Sequence, residues 1–366
     1  MRLTAVSRAA GLSLARDLPT MAGGLPLLGR GATVSERYVR ALTDHGIRSV
    51  WVEDELSAGI EPAELLPEPE RANGERRMRR AFEAARVAFA SSRVLPAETL
   101  HELSEVVAEL VERVTASAGT VVELYDVAPA DRWAHRHPVN RAALGLLLAH
   151  ELFRRHGWVD STGARQFERS GERLALLGLG LLLADVGNVA VPAGVLDRPD
   201  APSVAEWALI RGHPAAGVAR LSPRSTSPRI ADVIAQHHER YGGGGYPHGL
   251  RGAEIHQFGA IAAVADVYAA VTAERPYRPA HPGDVGVGIV RQGAETAFEP
   301  EVVDVFRRVV LPHPPGTEVV LADGRIGVVA AVEPASPYTP VVRLAEGASV
   351  VERRVDTRTE LAPHNG

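Results

Sequence analysis

The sequence predicts a mainly α protein, a multi-helix bundle set between a small α+β module at the N-terminus and a small β tail at the C-terminus. Three observations carry this expectation. Between about Arg76 and Val310 apolar residues recur at helical spacing, and Pro and Gly gather between the periodic runs. At both ends the pattern gives way to short alternating segments. A length of 366 residues, 45% hydrophobic and 23% charged, is enough for two or three soluble domains with a buried core.

Residues 1–60 read as strands around Leu3–Val6 and Leu25–Leu28, a helix over Ser35–Asp44 and a strand at Ser49–Val52. Gly46 sits where a C-cap glycine belongs. Glu61–Gly74, EPAELLPEPERANG, is rich in Pro and Glu without an apolar period and reads as a linker, assigned to 61–75. A helical connector follows at 76–125. Its helix starts near Pro96 and lines one face with Leu100, Leu103, Val107, Leu110 and Val114. Such a stripe more often faces the protein's own core than a second copy, and it leaves room for a homodimer. The main helical domain is assigned to 126–312. Its longest apolar run, around Leu174–Leu183, is about half the roughly twenty residues that a membrane span requires, and predicts a buried helix. In the tail, 313–366, GTEVVLADGRIGVVAAV and PVVRLAEG alternate as strands, with Asp323-Gly324 as a hairpin turn.

Composition narrows the chemistry. A net charge of −5 with no Lys/Arg block argues against a long nucleic acid as partner, because phosphate binding needs a basic face. The absence of cysteine excludes disulfides and thiolate metal sites, and with no sustained apolar run in MRLTAVSRAAGLSLARDL it points to the cytoplasm. Metal ligands must then be His and carboxylate. His137, His213, His237 and His238 stand beside Asp185 and Asp266 at the ends of helical runs, a donor set that suits Fe, Mn, Zn or Ni. Any one of these histidines taken alone is more often simply hydrogen-bonded. The adjacent pair in QHHERYGGGGYPHGL, 236–250, shifts that balance. On a helix, neighbouring side chains diverge by about 100°. His237 and His238 therefore suit two metals, or one metal and a substrate, better than one chelated ion.

His237-His238-Glu239, then Gly245-Tyr246-Pro247 and Gly249-Leu250, then IAAVADVYAAVTAERPYRPA over Ile261–Ala280, resemble the HD-GYP domain, a branch of the HD superfamily of metal-dependent phosphohydrolases. The resemblance covers about residues 130–310. It implies a helical bundle holding two metal ions, three in some members, that hydrolyse a cyclic dinucleotide, usually cyclic di-GMP. It implies His137, Asp185 and Asp266 as ligands of a first ion, and Asp185, His213, His237 and His238 as ligands of a second. Asp185 and Tyr246 would stand at the catalytic centre. Gly245, Tyr246 and Pro247 would close over the ligand, and the guanidinium forks of Arg275 and Arg278 would grip its phosphates.

The chain also departs from the family pattern. The His-Asp doublet reads Ala184-Asp185, the lysine three residues on is Asn188, and the second aspartate of the DVYDAL stretch is Ala269. Trp133 stands where three-metal members carry a glutamate. His135, His150 and His156 are the conceivable stand-ins for the missing imidazole, although His135 lies two residues from His137 and faces elsewhere on a helix. Glu239 reads either as an acceptor orienting a ligand imidazole or as a surface carboxylate. The resemblance thus implies one or two divalent ions and two alternatives. One is a cyclic di-GMP phosphodiesterase of reduced activity; the other is a non-catalytic receptor or scaffold for metal, a cyclic dinucleotide or a protein signalling partner.

Overall fold

The computed structural model describes all residues except 19–25, 63, 117–132, 161, 193, 197–201, 225, 275–279, 348 and 364–366. Its N-terminal module is a three-stranded antiparallel sheet, β1 (Arg2–Ala5), β2 (Ser13–Leu14) and β3 (Ser49–Glu53), in the order β1-β3-β2. Helix α1 (Glu36–Asp44) is capped by the Ser35 hydroxyl, which accepts the Tyr38 N–H, and Gly46 takes the left-handed conformation after its end. The strand expected at Leu25–Leu28 is not formed by its described part. Leu28 makes only a single bridge with Leu18, whereas Ser13–Leu14 pairs with β3 and buries Leu14.

The expected linker is a helix over its second half. Helix α2 runs Glu68–Ala90. Pro69 falls in its first turn, where a missing N–H costs nothing, and Glu68 and Glu70 face the positive end of the helix dipole. Leu65 and Leu66, just ahead, are buried in the bundle core. The same Pro and Glu residues that resemble a solvated spacer are here a helix start.

Helix α3 (Ala97–Ala116) turns its predicted stripe inward. Leu103, Val107, Leu110 and Val114 are buried against α4 (Trp133–His156) and α5 (Ser170–Leu183), so the stripe is already covered within one chain. The centre of the bundle is α4, which packs against α2, α3, α5, α9 (Gln257–Val271) and α11 (Pro300–Val309). One helical stretch among the described residues, Ser170–Ala190, is long and apolar enough by length and composition to cross a membrane. Its α-helical part, α5, has fully buried leucines at 177, 181, 182 and 183 and packs on α3, α4 and α8 (Pro228–Gln236). The polar stretch before α5 forms a small hairpin, β4 (Trp158–Val159) with β5 (Arg165–Gln166). Helices α6 (Val204–Arg211), α7 (His213–Val218) and α10 (Gly283–Gln292) complete the bundle.

The start of α9 is a pH-sensitive joint. The His256 Nδ1 accepts the Phe258 N–H at 3.1 Å, which requires a neutral ring. Burial, then the charge of Arg229, push this imidazole down from 6.5 to about 4, with Asp232 opposing and Arg173 reinforcing. As pH falls from about 6.5 toward 4 the unfolded chain takes up this proton before the folded one does. The contribution is therefore complete above that window and is lost descending through it. A His256→Asn variant, which keeps a capping oxygen but does not titrate, should lose less melting temperature than wild type between pH 7 and 4.5. The expected gap is on the order of 3–5 °C, and parallel melting profiles would refute the assignment.

The C-terminal tail is a four-stranded antiparallel meander, β6 (Glu318–Val320), β7 (Ile326–Ala331), β8 (Val341–Glu346) and β9 (Ser349–Arg354). The turn between β6 and β7 contains Gly324 at φ 86°, as Asp-Gly predicts. The tail touches the N-terminal sheet. Leu3 bridges Thr317, and the Glu318 carboxylate, 4% exposed, accepts from Arg2, Thr4 and Arg8.

Candidate metal centre

Five elements deliver the candidate side chains to one point. Helix α4 carries His137, α5 is capped by Ala184 so that Asp185 opens the following 3-10 turn Val186–Ala190, α7 begins at His213, α8 is capped by His237, and Asp266 sits within α9. One ligand atom from each of Asp185, His213, His237 and His238 lies within 4.8 Å of all the others, and the same holds for His137, Asp185 and Asp266. All six predicted metal ligands therefore converge, with Asp185 in both groups.

The wide divergence expected of the His237 and His238 rings is corrected: a ligand atom of each lies within 4.8 Å of the other and of Asp185 and His213. Helix α8 ends at Gln236, so the pair lies just past its last turn, and the two ring centroids are 4.0 Å apart at 42°. Close approach of the turn after Asp185 to α7 depends on Gly187. A Cβ there would lie 1.9 Å from the His213 carbonyl oxygen and 2.7 Å from the Gly217 nitrogen.

The donors of the second group fit a cation. The His213 ring faces the Ile210 carbonyl through Nδ1 at 2.7 Å, and the His237 ring faces the Ile234 carbonyl likewise at 2.9 Å. A carbonyl can only accept, so in each neutral ring the proton is on Nδ1 and Nε2 is bare. With both rings neutral, these two bare nitrogens face each other at 3.2 Å with no proton to share. Such a contact is repulsive unless a positive charge lies between. Around an ion with bonds of about 2.1 Å, neighbouring ligand atoms stand roughly 3.0–3.4 Å apart. The Asp185 Oδ1 lies 3.6 Å from the His213 Nε2. Burial, then the neighbouring imidazoles, hold His237 well below its ordinary value, and burial pushes His238 down to about 4. Both rings are thus neutral at physiological pH, the form in which an imidazole can ligate a cation.

The first group is different, because a side chain that the sequence motifs did not single out enters it. Arg141, one turn after His137 on α4 and wholly buried, sends Nη1 to Asp185 Oδ2 at 2.5 Å and to Asp266 Oδ1 at 2.8 Å, while its Nε donates to the Leu181 carbonyl at 2.9 Å. His137 Nε2 lies 2.9 Å from the same Asp266 oxygen. Burial alone would raise both carboxyls, but Arg141 and the surrounding histidines hold Asp185 and Asp266 far below the usual carboxylate range. Ala184 contributes only a buried methyl, Asn188 donates to Asp185 Oδ1 at 2.9 Å, and Ala269 is buried with no donor to offer. The first group therefore does not fit an ion as it stands, whereas the second does. None of the three stand-ins joins either group: His135 packs edge-on against Phe82, His156 pairs with Glu301, and His150 lies in neither. Trp133 stacks on His137 at 4.9 Å.

Tyr246 covers the second group. Its ring stacks on His238 at 4.7 Å and stands edge-on to His213 at 6.5 Å. Burial, then Asp185 and Asp266, push its phenol upward, so the hydroxyl is a donor. Gly245 is needed beside it, since a Cβ would lie 2.5 Å from the Arg240 nitrogen and the Glu239 Cα. Pro247 follows on the exposed side. Glu239 plays neither expected part. It is buried and accepts the backbone N–H groups of His248, Gly249 and Leu250 at 2.7–3.2 Å, tying the loop down from within. The Arg211 guanidinium lies 5.6 Å from the Tyr246 ring and 5.8 Å from that of half-exposed Trp207, a basic and aromatic rim that no motif announced. Arg275 and Arg278 lie outside the described residues.

Comparison with known proteins gives a consistent likeness. The HD domain family profile matches residues 149–302. The chain is 32% identical over 292 residues, 79% of its length and 66% of the relative's, to the cyclic di-GMP phosphodiesterase PA4108 of Pseudomonas aeruginosa. It is 36% identical over 148 residues, 40% of its length and 32% of the relative's, to the 3'3'-cGAMP-specific phosphodiesterase 3 of Vibrio cholerae. The chain thus spans somewhat under two thirds of the first relative and about a third of the second. In fold it is similar to an HDG"Y"P protein from Bdellovibrio bacteriovorus, with a TM-score of 0.50 at 16% identity, covering 83% of this chain and 97% of that one.

Proposed function

Because the chain belongs to the HD-GYP family of HD-domain proteins, we propose that it is a cyclic di-GMP signalling protein whose divalent metal centre hydrolyses the cyclic dinucleotide at a low rate. The observation that carries this reading is the convergence of Asp185, His213, His237 and His238 directly beneath Tyr246. In it, these four residues hold the ion, which when bound supplies Lewis acidity toward phosphate oxygens and acidifies water. The carbonyls of Ile210 and Ile234 fix which nitrogen each imidazole presents. Tyr246, kept protonated, donates to the ligand, with Gly245 and Pro247 shaping the loop around it. Arg275 and Arg278 belong to the phosphate grip in this reading.

A second reading, a receptor that binds without cleaving, is favoured by one specific feature: Arg141, with alanine at 184, leaves the first group of donors without a place for an ion. The two are separated by incubating the purified protein with Mn²⁺ or Fe²⁺ and either cyclic di-GMP or 3'3'-cGAMP, and following both binding and the linear product. Slow cleavage of cyclic di-GMP that disappears in an Asp185→Ala variant is the expected result. Binding without any linear product would replace the enzyme reading by the receptor, and absence of both would overturn the two together.

A further inference from the structure

We infer that Arg141 is a built-in cation standing where a first metal ion would be held, so that the centre takes one divalent ion per chain. The inference rests on the reading of the donor cluster as a metal centre, though not on turnover. Asp185 Oδ2 and Asp266 Oδ1, the oxygens that could share an ion with His137, each already accept from Arg141 Nη1, at 2.5 and 2.8 Å. The guanidinium is anchored from behind by the Leu181 carbonyl and has no exposed surface. For an ion to enter, this side chain must either leave its carboxylates and remain a buried, unpaired charge, or accept a divalent charge within about 3–4 Å of its own. Charge balance points the same way. Two carboxylates face a charge of three with Arg141 and one ion, and of five with two ions. Residue 184, beside Asp185, brings no extra donor to offset this, because it is alanine.

A sharp consequence follows for repair of the site. Placing an imidazole at 184 should not by itself admit a second ion, because the obstacle is the guanidinium. Removing Arg141 at the same time should admit it. The full-length protein, its Ala184→His variant and the Ala184→His, Arg141→Leu double variant are each reconstituted with Mn²⁺, freed of loose ions by gel filtration, and assayed for metal per chain. Electron paramagnetic resonance then distinguishes isolated from spin-coupled Mn²⁺. Wild type and the single variant should hold one isolated ion, and the double variant two coupled ions. A wild-type or Ala184→His protein holding two ions would overturn the proposal, and would do so even if the double variant fails to fold. Wild type holding no ion would instead remove the metal centre itself, and with it the function proposed above, whereas one ion without hydrolysis would leave this inference intact.

Discussion

Replacing His237 with alanine should weaken divalent-ion binding by about 100-fold or more, since even losing a residue that only orients a ligand costs about 10–100-fold. Among the described residues the nearest candidate replacements are engaged elsewhere. The His213 ring is already fixed by the Ile210 carbonyl, and His135 and His156 are committed at Phe82 and Glu301. The measurement is the rise in melting temperature on adding Mn²⁺. An ion present at a hundred times its dissociation constant stabilises the folded chain by about 2.7 kcal/mol. The variant should show almost none of this rise at the same concentration. An undiminished rise would mean that the two facing nitrogens do not share an ion.

A Gly187→Ala variant should lose both stability and metal response, although residue 187 is no ligand. Its new methyl would meet the backbone of His213 and Gly217, at 1.9 and 2.7 Å, and backbone cannot swing aside as a side-chain tip can. The turn carrying Asp185 must then withdraw from the start of α7, separating two of the four donors. Overpacking of this kind costs about 1–3 kcal/mol, occasionally more. Gly288→Ala on α10, where an added methyl meets nothing within 4 Å, is the matched control and should be neutral or slightly stabilising. Equal melting temperatures and equal Mn²⁺ responses for the two variants would refute this account.

The side chains that converge were legible because each sits in a short motif or at the end of a periodic run: His213 after IRG, His237-His238 before the glycines, Asp266 in VADVY. What those motifs could not convey is where a helix stops. The divergence argument for His237 and His238 holds only inside a helix, and α8 ends between them and the preceding turn. Glu239 was ambiguous for a related reason, as its partners are backbone N–H groups nine to eleven residues on, which leave no trace in side-chain identity. Arg141 was the larger omission. A lone arginine in NRAALGLLLAHE is a signal in itself, since a charge amid a buried apolar run needs a partner. Its two carboxylates, however, come from segments 44 and 125 residues away, and only the fold pairs them. The misread linker shows the limit of composition: EPAELLPEPERANG has the content of a spacer, while Pro69, Glu68 and Glu70 occupy positions that begin a helix.

The meeting of Glu318 with Arg2, Thr4 and Arg8 has a practical corollary for anyone dissecting the chain. These flanking pieces, more than three hundred residues apart in sequence, are stitched along a common seam. Clipping off the first eight residues would strand an acidic group in a dry crevice of the tail, and trimming the tail would leave Arg2, equally hidden, with only Asp54 for company. A minimal fragment must shed both flanks at once, because either one kept alone inherits a wound from the other.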